Sequence, residues 1–86
     1  MVEVKVTEWQ IRQGKRLSEI SCPIARSLVR DGWENVFVDS DTVSIGKDND
    51  AVVYTVSRRA KKFIRRFDEG KSVKPATFRF FNKTSW

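Results

Sequence analysis

Apolar and polar residues alternate in several short stretches of the chain, which is the period of a β-strand with one buried face. The first stretch, VEVKV, alternates residue by residue, and ATFRFF sets Phe78 and Phe80 on one face and Arg79 and Phe81 on the other. Three stretches between them are rich in β-branched residues and bounded by turn formers, which predicts a meander. The predicted strands cover residues 2–6, 35–39, 42–46, 51–56 and 76–81.

Two stretches that precede the meander carry helix signals. Residues 8–13 are predicted to form a short helical turn. Pro23 suits the first position of a second helix, with Ser21 or Cys22 as its N-cap. Gly32 is predicted to end that helix. Its expected apolar stripe consists of Ile24, Ala25, Leu28 and Val29.

The stretch SRRAKKFIRRFDEG, residues 57–70, predicts a third, amphipathic helix that Ser57 caps and Gly70 closes. Apolar residues at the i, i+3, i+4, i+7 spacing predict a core-facing stripe of Ala60, Phe63, Ile64 and Phe67. The opposite arc holds six cations: Arg58, Arg59, Lys61, Lys62, Arg65 and Arg66.

The elements are predicted in the order β-α-α-β-β-β-α-β. A chain of 86 residues fits one domain, and its 40% hydrophobic content supplies a core. We therefore expect residues 1–86 to form a single small α+β binding domain, with a mostly antiparallel sheet and helices packed on one face. No apolar run reaches the roughly 18 residues of a membrane span, and no signal-peptide pattern is present, which predicts a cytosolic protein.

The residue types exclude several kinds of chemistry. One cysteine and no histidine exclude an internal disulfide, a Cys/His zinc site and a Ser-His or Cys-His catalytic pair within one chain. The sequence has no Gly-rich phosphate loop, and the acidic residues Asp39, Asp41, Asp48 and Asp50 suit turns better than a calcium loop. We expect a protein that is not an enzyme and that uses no cofactor or metal.

Charge is unevenly distributed along the chain. Residues 57–86 contain ten Lys/Arg and two Asp/Glu, a net charge of +8, whereas residues 1–56 contain seven and nine, a net charge of −2. Within the third helix, the i,i+4 pairs 58/62, 61/65 and 62/66 are all like-charged, and each such pair destabilises a helix slightly. One interpretation is that the six cations form a solvated face. The other is that they bind an anionic partner, and the uncompensated repulsion between them favours this second interpretation.

The class of anion stays open at this level. Arginine forks recognise phosphates and carboxylates alike, so a nucleotide, a nucleic acid or an acidic protein surface would each fit. No zinc finger, RNP motif, KH loop or helix-turn-helix indicates sequence-specific readout.

A second hypothesis rests on aromatic residues. Trp33, Phe81 and Trp86 are candidate contact residues for a protein interface if they are exposed. The chain would then be a protein–protein inhibitor or a self-assembling unit, with association that is insensitive to salt.

Two stretches, SCPIARSL and AKKFIRRFDEGKSVKPATFRF, together resemble a family of small accessory proteins of tailed bacteriophages. In that family a CPIA-type helix start precedes a meander, and an FI-x-x-FD-x-G-x-x-V-x-P segment precedes an aromatic strand. The matching residues are Cys22, Pro23, Ile24, Ala25, Phe63, Ile64, Phe67, Asp68, Gly70, Val73, Pro75, Phe78 and Phe80. The six cations of the third helix are not part of the family pattern.

The resemblance implies a phage protein acting in the cytoplasm of the bacterial host. Such proteins commonly bind a host defence protein, a signalling nucleotide or the transcription machinery. On this basis we expect a module that occupies or sequesters its partner, in the manner of a counter-defence inhibitor.

Overall fold

The structure, a computed structural model, describes residues 2–47 and 50–82 of the chain. Its elements are β1 (Val2–Val6), α1 (Glu8–Gln13), α2 (Pro23–Arg30), β2 (Glu34–Val38), β3 (Thr42–Lys47), β4 (Asp50–Thr55), α3 (Arg58–Asp68) and β5 (Ala76–Asn82). The α+β class and the predicted order of elements are confirmed, and each strand end lies within one residue of its predicted position.

All five strands belong to one antiparallel sheet with the order β1-β5-β4-β3-β2. Strand β5 therefore lies between β1 and β4, and the register places Phe78 opposite Val4. Helix α2 contacts both β1 and β2, which are the two edge strands of the sheet. The sheet is accordingly curled, with the core enclosed between its concave face and the helices.

The core combines the alternating residues of the strands with the apolar stripes of α2 and α3. Its fully buried members include Val4, Val6, Ile24, Leu28, Val43, Ile45 and Phe80. Phe63 of α3 packs edge-on against Phe78 of β5, with ring centroids 5.1 Å apart. An edge-to-face arrangement is favourable for two aromatic rings, so this contact stabilises the packing of α3 against the sheet.

One predicted core residue is wrong. Val29 was expected on the apolar stripe of α2, but 56% of its surface is exposed. At 100° per residue it lies about 100° from Leu28, beyond the edge of the buried arc. Ser27 occupies the buried arc instead, and its hydroxyl donates to the carbonyl of Pro23 at 2.8 Å.

Helices α2 and α3 both end at the glycine that the sequence predicted, and both glycines have a left-handed backbone conformation. Gly32 and Gly70 have φ values of +96° and +79°, which favour glycine. In α3, the Gly70 N–H donates to the Phe67 carbonyl and the Lys71 N–H donates to the Arg66 carbonyl. This pair of bonds is a Schellman motif, and it turns the chain back along the helix.

Within residues 2–47 and 50–82, none of the helices has the length and apolar character needed to cross a bilayer.

Candidate anion-binding surface

Helix α3 buries one side and presents the six predicted cations on the other. Ala60, Phe63 and Ile64 are buried, and Phe67 is half-buried. Ser57 caps the helix, with its hydroxyl accepting a bond from the Ala60 N–H at 3.3 Å. All six cations are exposed, and we call them the basic face: Arg58, Arg59, Lys61, Lys62, Arg65 and Arg66.

Little negative charge compensates the basic face. Among the described residues, its one ion pair joins Lys61 Nζ to Asp41 Oδ1 at 3.6 Å, and both side chains are well exposed. Such a surface pair contributes little to stability. The two carboxylates at the end of α3 have other partners: Asp68 accepts a bond from the Leu17 N–H at 2.9 Å, and Glu69 lies 3.3 Å from Lys71 Nζ.

The basic face divides into two rows along the helix. Arg58, Lys61 and Arg65 border a cleft against the β2–β3 turn, which contributes Ser40 and Asp41. Arg59, Lys62 and Arg66 border a second cleft against the extended segment at residues 72–78. Lys62 belongs to both clefts. We call the first the turn-side cleft and the second the strand-side groove.

The strand-side groove has a cationic rim and an apolar floor, with a volume of about 410 Å³. Phe63, Val73, Ala76 and Phe78 supply the floor, and Lys74 adds a fourth cation across from the helix. None of the residues that line the groove is acidic. The turn-side cleft, in contrast, contains Asp41.

Two contacts order the arginines of the groove before any ligand binds. The guanidinium of Arg59 lies over the Phe78 ring, 5.8 Å from its centroid, in the range of a cation–π interaction. Arg66 donates from Nε and Nη2 to the carbonyl of Ser72, at 3.3 and 3.0 Å. These contacts reduce the side-chain entropy that anion binding would cost.

Sequence reasoning missed Lys74 as a member of this site. The only sequence pattern that includes Lys74 is the excess of positive charge in residues 57–86. The Schellman turn at Gly70 and the extended backbone that Pro75 imposes on its predecessor return the chain along α3. Lys74 therefore reaches the helix through tertiary structure.

The candidate aromatic contacts lie in different environments. Trp33 is half-buried and packs against the core, Phe81 is 60% exposed on β5, and Trp86 lies outside the described residues. Sequence reasoning missed Phe37 and Val53, which are 50% and 40% exposed. Phe37 pairs with Ser44 of β3, and Ser44 pairs in turn with Val53 of β4. Because paired residues lie on the same face of a sheet, Phe37 and Val53 share the outer face.

Asp39 has the turn role that the sequence predicted. Its carboxylate accepts bonds from the N–H groups of Asp41 and Thr42, at 2.7 and 2.6 Å. Asp48 lies outside the described residues. The part of the chain that the structure describes contains no group of three or more His, Cys, Asp or Glu side chains placed to hold a metal ion.

Cys22 is the N-cap of α2 and is buried. Its Sγ accepts a bond from the Ala25 N–H at 3.4 Å. Burial raises the pKa of the thiol above its ordinary value, in spite of the backbone hydrogen bonds that lower it. The thiol is therefore poorly placed to act as a nucleophile.

Comparison of the chain with protein-family models, with curated proteins and with solved structures gives no match. The resemblance to phage accessory proteins therefore stays a prediction.

Proposed function

We propose that this protein is a non-enzymatic binding module that binds an anionic partner through the basic face of α3. The observation that supports the proposal is the imbalance of charge on that face. Of its six exposed cations, Lys61 alone has a carboxylate within ion-pair distance among the described residues. In the phage setting that the sequence suggests, the partner is a host molecule and binding occupies or sequesters it.

The energetics of the helix favour this function. Each of the three like-charged i,i+4 pairs costs about 0.2–0.5 kcal/mol, and Arg58 and Arg59 also lie at the positive end of the helix dipole. A bound anion removes both penalties. Because several cations act together, binding to a polyanion is expected to weaken steeply as salt rises.

The test is a binding measurement with three labelled polyanions: an oligothymidylate, a DNA duplex and poly-glutamate. The variant R58Q/K62Q/R65Q keeps helix-favouring residues and removes three charges from the basic face. The control K5Q/R12Q removes two exposed cations from β1 and α1. We expect the helix variant to lose at least about tenfold in affinity for the preferred polyanion and the control to lose less than about twofold.

If the two variants lose affinity in proportion to the number of charges removed, the attraction depends on the net charge of the protein, and the basic face is not the site. Affinity that does not change in the helix variant would also refute the proposal. Circular dichroism of each variant establishes that α3 has been retained.

A second candidate function is supported by the outer face of the sheet. Phe37, Val53 and Phe81 are exposed there, as a contact surface for a protein would require. This alternative predicts association that is equal at about 50 and about 200 mM salt, measured by sedimentation, and that F81S weakens. A monomer at both salt concentrations, with no protein partner sensitive to F81S, would refute it.

A further inference from the structure

The strand-side groove continues at both ends into neighbouring clefts. Towards β5 it shares Arg59 and Phe78 with a cleft that Arg79 and Phe81 also line. Towards the end of α3 it shares Ser72 and Val73 with a cleft that the loop preceding α2 also lines. The three clefts therefore adjoin one another beside α3, and we call them together the track.

Positive charge follows this track from end to end. The groove at its centre contributes four cations, and the cleft at the end of α3 adds Lys15, Arg16 and Lys71. Carboxylates lie at the ends: Glu3 is 2.9 Å from Arg79 Nε, Glu69 is 3.3 Å from Lys71 Nζ, and Glu8 is 3.5 Å from Arg12. The centre of the track is thus the part with the strongest uncompensated field.

We infer that the track binds single-stranded nucleic acid without sequence preference. The inference rests on the proposed function, and it names the ligand of the same surface. Phosphates repeated along one strand match cations repeated along one line, and the apolar floor of the groove suits sugars and base edges. At the β5 end, Phe81 lines the cleft from the outer face of the sheet, and its exposed ring provides a surface on which a base stacks.

Other anions match the track less well. A free nucleotide fills one cleft and leaves the cations of the other two unused. A duplex is a stiff rod, so it would lie along the exposed basic face and use both rows of cations equally. An acidic protein surface has no base to stack on Phe81.

The experiment compares two double variants that remove the same charge from opposite sides of α3. R59Q/K74Q acts on the strand-side groove alone, and R58Q/R65Q acts on the turn-side cleft alone. Affinity for an oligothymidylate of about 12 nucleotides is measured by fluorescence anisotropy over a range of salt concentrations. F81S tests the stacking contact, and F37S is its control on the same face of the sheet.

We expect R59Q/K74Q to weaken binding at least about tenfold and to reduce the slope of log affinity against log salt by about 1.4, as the loss of two phosphate contacts requires. R58Q/R65Q should weaken it less than about threefold. F81S should lose at least about fivefold, the lower limit for one stacked base, and F37S should be neutral.

Equal losses in both double variants, or a preference for duplex, would overturn the inference and leave the proposed function standing. A mononucleotide that competes as well as the oligomer, an unaffected F81S variant or a preference for poly-glutamate would overturn it as well. If neither the two double variants nor R58Q/K62Q/R65Q lose affinity, both this inference and the proposed function are refuted.

Discussion

The thiol of Cys22 replaces the hydroxyl or carboxylate that more often caps a helix. It accepts one backbone N–H bond at the start of α2 and is buried among core residues. A capping group in this position satisfies a backbone donor that would otherwise be left without a partner. The residue is thus explained by local structure, with no redox or catalytic role required.

The raised pKa of Cys22 gives a prediction for stability. The native state keeps the thiol proton at a pH at which the unfolded chain has lost it, so the free energy of unfolding falls as pH rises through and above the ordinary thiol pKa. C22S retains a capping oxygen and cannot titrate. Urea unfolding at about pH 7 and about pH 10 should therefore show a larger loss of stability for the natural chain than for C22S.

The difference between the two proteins isolates Cys22, since lysine and tyrosine titrations are common to both. An equal loss in C22S and the natural chain would contradict the assignment. Rapid alkylation of Cys22 in the native state would also contradict it, because a buried thiol is protected from reagents.

At the level of elements, α3 serves the fold with one side and carries repulsive charge on the other. The penalty is concentrated at Lys62, which has a like charge four residues away on both sides, at Arg58 and at Arg66. A helix selected only for stability would place an acid at this position.

K62E should accordingly make the protein more stable and a poorer binder. It converts two like-charged pairs into opposite-charged pairs, which removes two repulsions and adds two attractions and is expected to raise the free energy of unfolding by about 0.8–2 kcal/mol. Denaturant unfolding and binding to the oligothymidylate would be measured on the same preparation. A variant that is both less stable and unchanged in binding would show that Lys62 has a structural role instead.

On the scale of the whole molecule, the segregated charge should make stability depend on salt. The Debye length falls from about 10 Å at 0.1 M to about 3 Å at 1 M salt, which screens repulsion between the exposed cations of α3. We expect the midpoint of thermal unfolding to rise with sodium chloride, and to rise less in K62E. A midpoint that falls with salt would mean that attractive pairs dominate the surface.

The sequence was informative where structure is local. Periodicity, caps and turn glycines depend on neighbours within a few residues, so the order and bounds of the elements could be predicted. The sequence did not predict how these elements pack against one another. The pairing of β5 with β1, the bridging of both edge strands by α2 and the approach of Lys74 to α3 depend on contacts that no local pattern encodes.

The same limit applies to single residues. Asn35 was predicted to begin a regular strand, but it has a φ of +52° at an irregularity in the register of β2 and β3. Gly14 ends α1, and a Cβ at this position would lie 2.7 Å from the Pro23 ring. Close packing against α2 is therefore a second reason for this glycine.

The position of β5 has a consequence for synthesis of the protein. The strand lies between β1 and β4 but is the last of the five to leave the ribosome. Until it emerges, the valines of β1 have no partner strand, and a nascent chain exposes an edge prone to aggregation. Phe78 belongs to both the core and the groove, so the binding surface is complete only when translation has delivered the strand that closes the sheet.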